Sequence, residues 1–141
     1  MMSVRLLVRL CRLSREHISL RVCASALLAT ASAGVSLLPF RYAIRFGCVP
    51  VAKEKQSSIE DIVGAVEAVA RRVPWRTMCI EKGLVVQRML RSSGVDAVLH
   101  YGARMNSKDG SLEAHVWVSV SGRAVVGGES AADYADVASY P

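Results

Sequence analysis

No two cysteines of this sequence stand at C-x-x-C spacing. Cys11, Cys23, Cys48 and Cys79 are scattered, which excludes the dense pattern of a disulfide-stapled secreted domain and favours thiols in a reducing compartment. Only His17, His100 and His115 accompany them, so neither a metal centre nor another cofactor is expected. Charge is missing from Val22 to Phe40, about the length of ~20 residues that crosses a bilayer. That run is weakly apolar, because Ser25, Thr30, Ser32, Gly34 and Ser36 interrupt it and Pro39 ends it. Internal repeats are absent, and low complexity does not extend beyond this Ala/Ser-rich stretch.

What is present fits a folded chain. Its 141 residues are 52% hydrophobic and 21% charged, enough to bury a core without staples and too apolar for a disordered chain. The net charge of +6 is uneven, with Arg5, Arg9, Arg12, Arg15 and Arg21 crowded at the start. Residues 4 to 20 place Leu6, Leu10 and Leu13 near one helical face and Arg5, Arg9 and Arg12 near another. Such a helix either meets an anionic membrane surface or caps the core. Ala31-Ser32-Ala33 imitates a signal-cleavage site, but the basic region is long for a signal and Arg21 lies directly beside the apolar stretch. No nucleic-acid motif accompanies the positive charge, so nucleic-acid binding is not expected.

A short helical pattern from Phe40 to Phe46 stops at Gly47, and the polar stretch from Pro50 to Ser58 reads as a connector. The boundary falls there: an N-terminal helical region over 1–54 and a core over 55–141. Ser57 or Ser58 caps a helix with Ile59, Ile62, Val63, Val66, Val69 and Ala70 on one side. Val73-Pro74-Trp75 interrupts the helical pattern, because proline disfavours helix at the residue before it. Thr77 then offers the N-cap of a helix to about Ser92, with Ile80, Leu84, Val85, Met89 and Leu90 inward and Gly94 as its stop.

After Gly94 the period changes to two. Val95 to Arg104 and Leu112 to Val120 alternate as strands around an Asp109-Gly110 turn, and Arg123 to Val126 follows Ser121-Gly122. The order predicts helices, then an antiparallel meander, an α+β fold. Glu129 to Pro141 reads as acidic coil or a short helix.

Cys79 falls in the first turn of its helix, beside Arg76, where a thiolate is favoured. In the strand Glu113-Ala114-His115-Val116-Trp117-Val118, His115 shares a face with Glu113 and Trp117, opposite Ala114, Val116 and Val118. Cysteine and histidine can form a nucleophile and its base. They can equally be a small buried side chain and a satisfied polar group.

Pro74-Trp75-Arg76 before Cys79-Ile80 and Leu84, Gln87-Arg88-Met89-Leu90, Gly94-Val95 with Ala97, Tyr101-Gly102 and Ala114-His115-Val116-Trp117-Val118 closely resemble one family. It is the standalone lasso-peptide biosynthesis B2 proteins, leader peptidases with a transglutaminase-like, papain-related core. The likeness covers about residues 39 to 137 and includes Leu38-Pro39-Phe40. It implies a nucleophile helix packed on an antiparallel sheet, and cleavage between the leader and core of a ribosomally made precursor. Cys79 would be the nucleophile and His115 the general base. An acid on or after the next strand would orient the imidazole. Glu129 is the first choice, with Asp133 and Asp136 further along. The family also implies a separate leader-recognition protein and a lasso cyclase as partners. Cysteines read as thiols in a reducing compartment point to the cytoplasm, and the basic N-terminal helix leaves peripheral membrane contact open.

Overall fold

The structure is a computed structural model that describes the backbone from Val4 to Pro141 and side chains from Ser14 onward. The expected division of Leu6, Leu10 and Leu13 from Arg5, Arg9 and Arg12 therefore lies outside the described side chains. Helix α1 runs unbroken from Val4 to Leu37, joining the basic and apolar stretches. No proline interrupts it, and the Ser25 and Thr30 hydroxyls donate back to the carbonyls of Arg21 and Ala26, so these two hydroxyls are satisfied within the helix. It ends just before Pro39. Leu20, Ala24, Leu27, Leu28, Ala31 and Val35 form its inner stripe, at helical spacing. Ser14–Leu37 is long and apolar enough to cross a membrane by length and composition, and most of it is exposed.

Helix α2 (Phe40–Ala43) continues as a 3-10 turn, Ile44–Phe46. The connector behind it is strapped to the helix that follows. Ala52 N–H donates to Arg91 O, and Gln56 N–H to Ser93 O. Gly94 has φ +79°, and a Cβ there would lie 2.7 Å from Glu54 O. Helix α3 (Ile59–Ala70) is capped by Ser58, whose Oγ accepts from Asp61 N–H at 3.1 Å. Glu60 and Asp61 suit the positive end of its dipole.

Helix α4 (Cys79–Ser92) is capped by Met78 rather than Thr77. The Glu81 carboxylate accepts from Met78 N–H, the backward half of a capping box. Gly83, Leu84, Val85, Val86, Gln87, Met89 and Leu90 are all buried, because α4 lies between α1 and α3 on one side and the sheet on the other. One apolar core contains Ala24, Leu28, Ala31 and Ile44 together with Ile62, Val66, Leu84, Leu99 and Val118. The compositional boundary at residue 54 therefore does not interrupt the packing.

The sheet is antiparallel in the order β3-β2-β1-β4. Strands β1 (Ala97–Met105), β2 (Leu112–Val120) and β3 (Arg123–Val126) form the expected meander. Ser121 and Gly122, at φ 49° and 77°, make the tight turn that matches strand twist. The C-terminal segment departs from the sequence expectation. A 3-10 helix at Gly128–Asp133 leads into β4 (Ala135–Tyr140), which returns to pair with β1. Ala-Asp-Val-Ala-Ser-Tyr lacks apolar alternation because this edge strand is largely exposed. Long-range bonds hold it, among them Gln87 Nε2–H to Tyr140 O at 2.6 Å.

Two helical glycines test this packing. A Cβ at Gly64 in α3 would meet nothing within 4 Å, whereas one at Gly83 would lie 2.9 Å from Val116 Cγ1 and 3.3 Å from Leu99 Cδ1. Gly64→Ala is expected to stabilise the protein by up to about 1 kcal/mol through helix propensity. Gly83→Val should destabilise it by about 1–3 kcal/mol through overpacking. Urea unfolding of the two variants checks the opposite signs.

Candidate active site

Cys79 is the first residue of α4, half-buried against the core. The segment that delivers it is anchored from outside the helix, since Trp75 Nε1–H donates to Ser32 Oγ of α1 at 3.0 Å. Glu81 covers the N–H of Met78, while no described side chain accepts from the N–H of Cys79 or Ile80. These groups remain available donors at the positive end of the helix. Arg76 is exposed and forms no salt bridge with a described residue. The other described cysteines differ in setting. Cys23 is exposed. Burial pushes the Cys48 thiol pKa up, against the pull of Arg91 and Arg45, which keeps it protonated.

Strand β2 separates two kinds of surface. Val116 and Val118 reach toward α4 at Gly83, so the regular alternation turns His115 and Trp117 to the opposite face. Across the ladder from His115 stands Gly102, where a Cβ would lie 2.6 Å from the Trp117 ring. Only glycine leaves room for the indole. His115 Nε2 lies 2.7 Å from Gly127 O. Its ring is flanked by Trp117, at 6.2 Å between centroids, and by Tyr134 at 5.1 Å. On the far side of Trp117, His100 stacks nearly parallel at 5.2 Å and 6°. His100 Nδ1 is 2.8 Å from Asp136 Oδ2, and its Nε2 is 2.8 Å from Ser119 Oγ. Arg104 completes the face, 4.6 Å above Tyr134 and paired with Glu113 at 2.7 Å.

Cys79 opens α4 and His115 stands in β2, with no hydrogen bond between them. Glu129 is exposed in the first turn of the 3-10 helix and makes no hydrogen bond to His115. Asp133 lies 3.8 Å from Arg104, and Asp136 is taken by His100. Where a carboxylate was expected behind the imidazole, the Gly127 carbonyl stands. His100, Ser119, Tyr134 and Glu81 are site-region residues that sequence reasoning passed over. The period-two parity of β1 and β2 could have placed His100 and Ser119 on one face, but Tyr134 and Asp136 depend on the unrecognised β4. Among the described residues no group of three His, Cys, Asp or Glu is placed to hold a metal ion. An apolar recess of about 600 Å³ lined by Phe40, Arg41, Ile44, Arg45, Cys48 and Tyr140 contains neither Cys79 nor His115.

Hydrogen bonds from Arg104 and then Asn106 hold the Glu113 carboxyl below the usual carboxylate range. A carboxyl lowered by folding stabilises the fold above its unfolded value of about 4.3, and that contribution is lost as the pH falls through the folded value. NMR titration of Glu113 should give a midpoint below about 4.3, and Arg104→Gln should move it upward.

No curated protein and no solved structure matches the chain. A family model described as transglutaminase-like superfamily matches residues 9–139, from within α1 to within β4. Helix α1 and the sheet accordingly fall inside one family unit, and the chain belongs to the transglutaminase-like superfamily.

Proposed function

We propose that this protein is a cysteine peptidase that removes the leader from a lasso-peptide precursor. The observation that carries the reading is a half-buried Cys79 at the first position of a long helix, in a superfamily that includes cysteine peptidases. The likeness around Pro74-Trp75-Arg76, Cys79 and Ala114-His115-Val116-Trp117-Val118 supplies the substrate class. In this mechanism Cys79 Sγ attacks the scissile carbonyl while His115 takes the thiol proton. The tetrahedral oxyanion is met by free N–H groups of the first turn of α4. The C–N bond breaks as the proton passes to the leaving amine, and water then hydrolyses the thioester. A separate leader-recognition protein presents the precursor, and a lasso cyclase consumes the freed core. The work takes place in the cytoplasm, with the exposed part of α1 available to a membrane surface.

One observation favours a second reading, a non-catalytic transglutaminase-like module that scaffolds a biosynthetic complex. No hydrogen bond joins Cys79 to His115, and β2 turns the histidine away from the face that meets Gly83. Rates of thiol alkylation against pH, in a chain with Cys11, Cys23 and Cys48 replaced by Ala, separate the two readings. A peptidase thiol reacts at pH values well below the ordinary cysteine pKa of about 8.5, and a scaffold thiol does not. Cys79→Ala and His115→Ala are each expected to abolish cleavage of a precursor supplied with its recognition protein. Full cleavage by either variant removes the mechanism.

A further inference from the structure

We propose that the group orienting His115 is the main-chain carbonyl of Gly127, standing where a carboxylate is expected. The catalytic use of that bond rests on the reading of Cys79 and His115 as nucleophile and base. The bond itself stands on local geometry.

A carbonyl oxygen can only accept. With His115 Nε2 at 2.7 Å from Gly127 O, that nitrogen carries the hydrogen. A neutral imidazole has one N–H, so Nδ1 holds the free lone pair, and it makes no hydrogen bond to a described residue. The acceptor is fixed by its own backbone. Gly127 has φ +72°, and a Cβ there would lie 2.7 Å from Val116 O and 3.3 Å from Trp117 Cα. A side chain at this position would collide with the β2 backbone, so the carbonyl is held by a residue that only glycine can supply.

The ring cannot turn freely either. Tyr134 and Trp117 flank it. Trp117 is seated over Gly102 and against His100, whose two nitrogens are themselves engaged by Asp136 and Ser119. The carboxylates that could compete for Nε2 are otherwise placed, with Asp133 at Arg104, Asp136 at His100 and Glu129 exposed. Glu113, on the same face of β2, is bound by Arg104 and Asn106.

The proton account closes without the carbonyl gaining a proton. As the S–C bond forms and the carbonyl π pair moves to oxygen, the thiol proton passes to Nδ1. It returns from Nδ1 to the amine nitrogen when the C–N bond breaks. Nε2–H donates to Gly127 O throughout. Gly127, Tyr134 and Trp117 are positioning residues, and a carbonyl performs the tautomer-fixing role that a carboxylate performs in serine-protease triads.

The test is a two-bond proton–nitrogen NMR correlation on the 15N-histidine-labelled full chain, with His115→Gln to assign the signals. A pyrrole-like Nε2 and a pyridine-like Nδ1 are expected in the neutral ring. The reverse pattern, Nδ1 protonated, overturns the assignment. Cleavage by Glu129→Gln and Asp133→Asn supplies the second arm. Rates within about threefold of the parent are expected. A drop approaching the ~10⁴-fold loss seen when a triad Asp becomes Asn returns the orienting role to a carboxylate and overturns the proposal. The tautomer readout needs no activity. Should Cys79→Ala cleave normally, the peptidase reading fails while the Gly127 assignment is still judged by its own signal.

Discussion

The close approach of α4 to the sheet at Gly83 is the contact on which the rest of the structure depends. Without a side chain there, the helix backbone settles against Val116, Leu99 and Val118, and Glu81 and the residues from Gly83 to Gln87 are buried. Burial on all sides requires cover on all sides. The inner stripe of α1 and the apolar face of α3 supply it opposite the sheet. The connector that precedes α3 is drawn down onto the C-terminal end of α4 by bonds to Arg91 and Ser93. A helix held this firmly presents Cys79 at a defined place, because that residue is one turn from the contact that seats the helix.

The two faces of the sheet have divided tasks. The inner one is aliphatic, with Ala97, Leu99, Val116 and Val118 packed at close range. The outer one is a row of rings and charges, running from Glu113 and Arg104 through Tyr134, His115 and Trp117 to His100 and Asp136. Arg104 and Glu113 join β1 to β2, and His100 and Asp136 join β1 to β4, so the face is cross-linked laterally. Strand β4, which has little apolar surface of its own, is held to β1 partly through His100 and Asp136. The histidine ladder thus joins sheet construction to the candidate site.

Much of this was legible in local chemistry. Ser58 marks the start of α3, Pro74 the break before α4, Gly94 its stop and Asp109-Gly110 the first hairpin, each through a backbone preference acting within a few residues. The parity of β2 already separated His115 from Val116 and Val118. Features made by distant partners were not legible. The cap at Met78 comes from Glu81 without the usual Ser or Thr, and the continuity of α1 follows from packing on α3 and α4. Strand β4 exists by pairing with β1 and not by its own alternation. The acceptor behind His115 was sought among acidic side chains, whereas the group at hydrogen-bond distance belongs to the backbone of a glycine.

That last feature makes the orienting bond invisible to side-chain genetics. A survey that exchanges residues one at a time for alanine removes carboxylates, hydroxyls and amides, but every substitution retains a carbonyl at residue 127. Alanine at Gly127 would shift the carbonyl by strain without deleting it. The acceptor also has no proton to gain over the working range of pH, unlike a carboxylate that falls silent in acid. Backbone editing, such as an ester or thioamide placed at the bond between Gly127 and Gly128, is the kind of chemistry that reaches it.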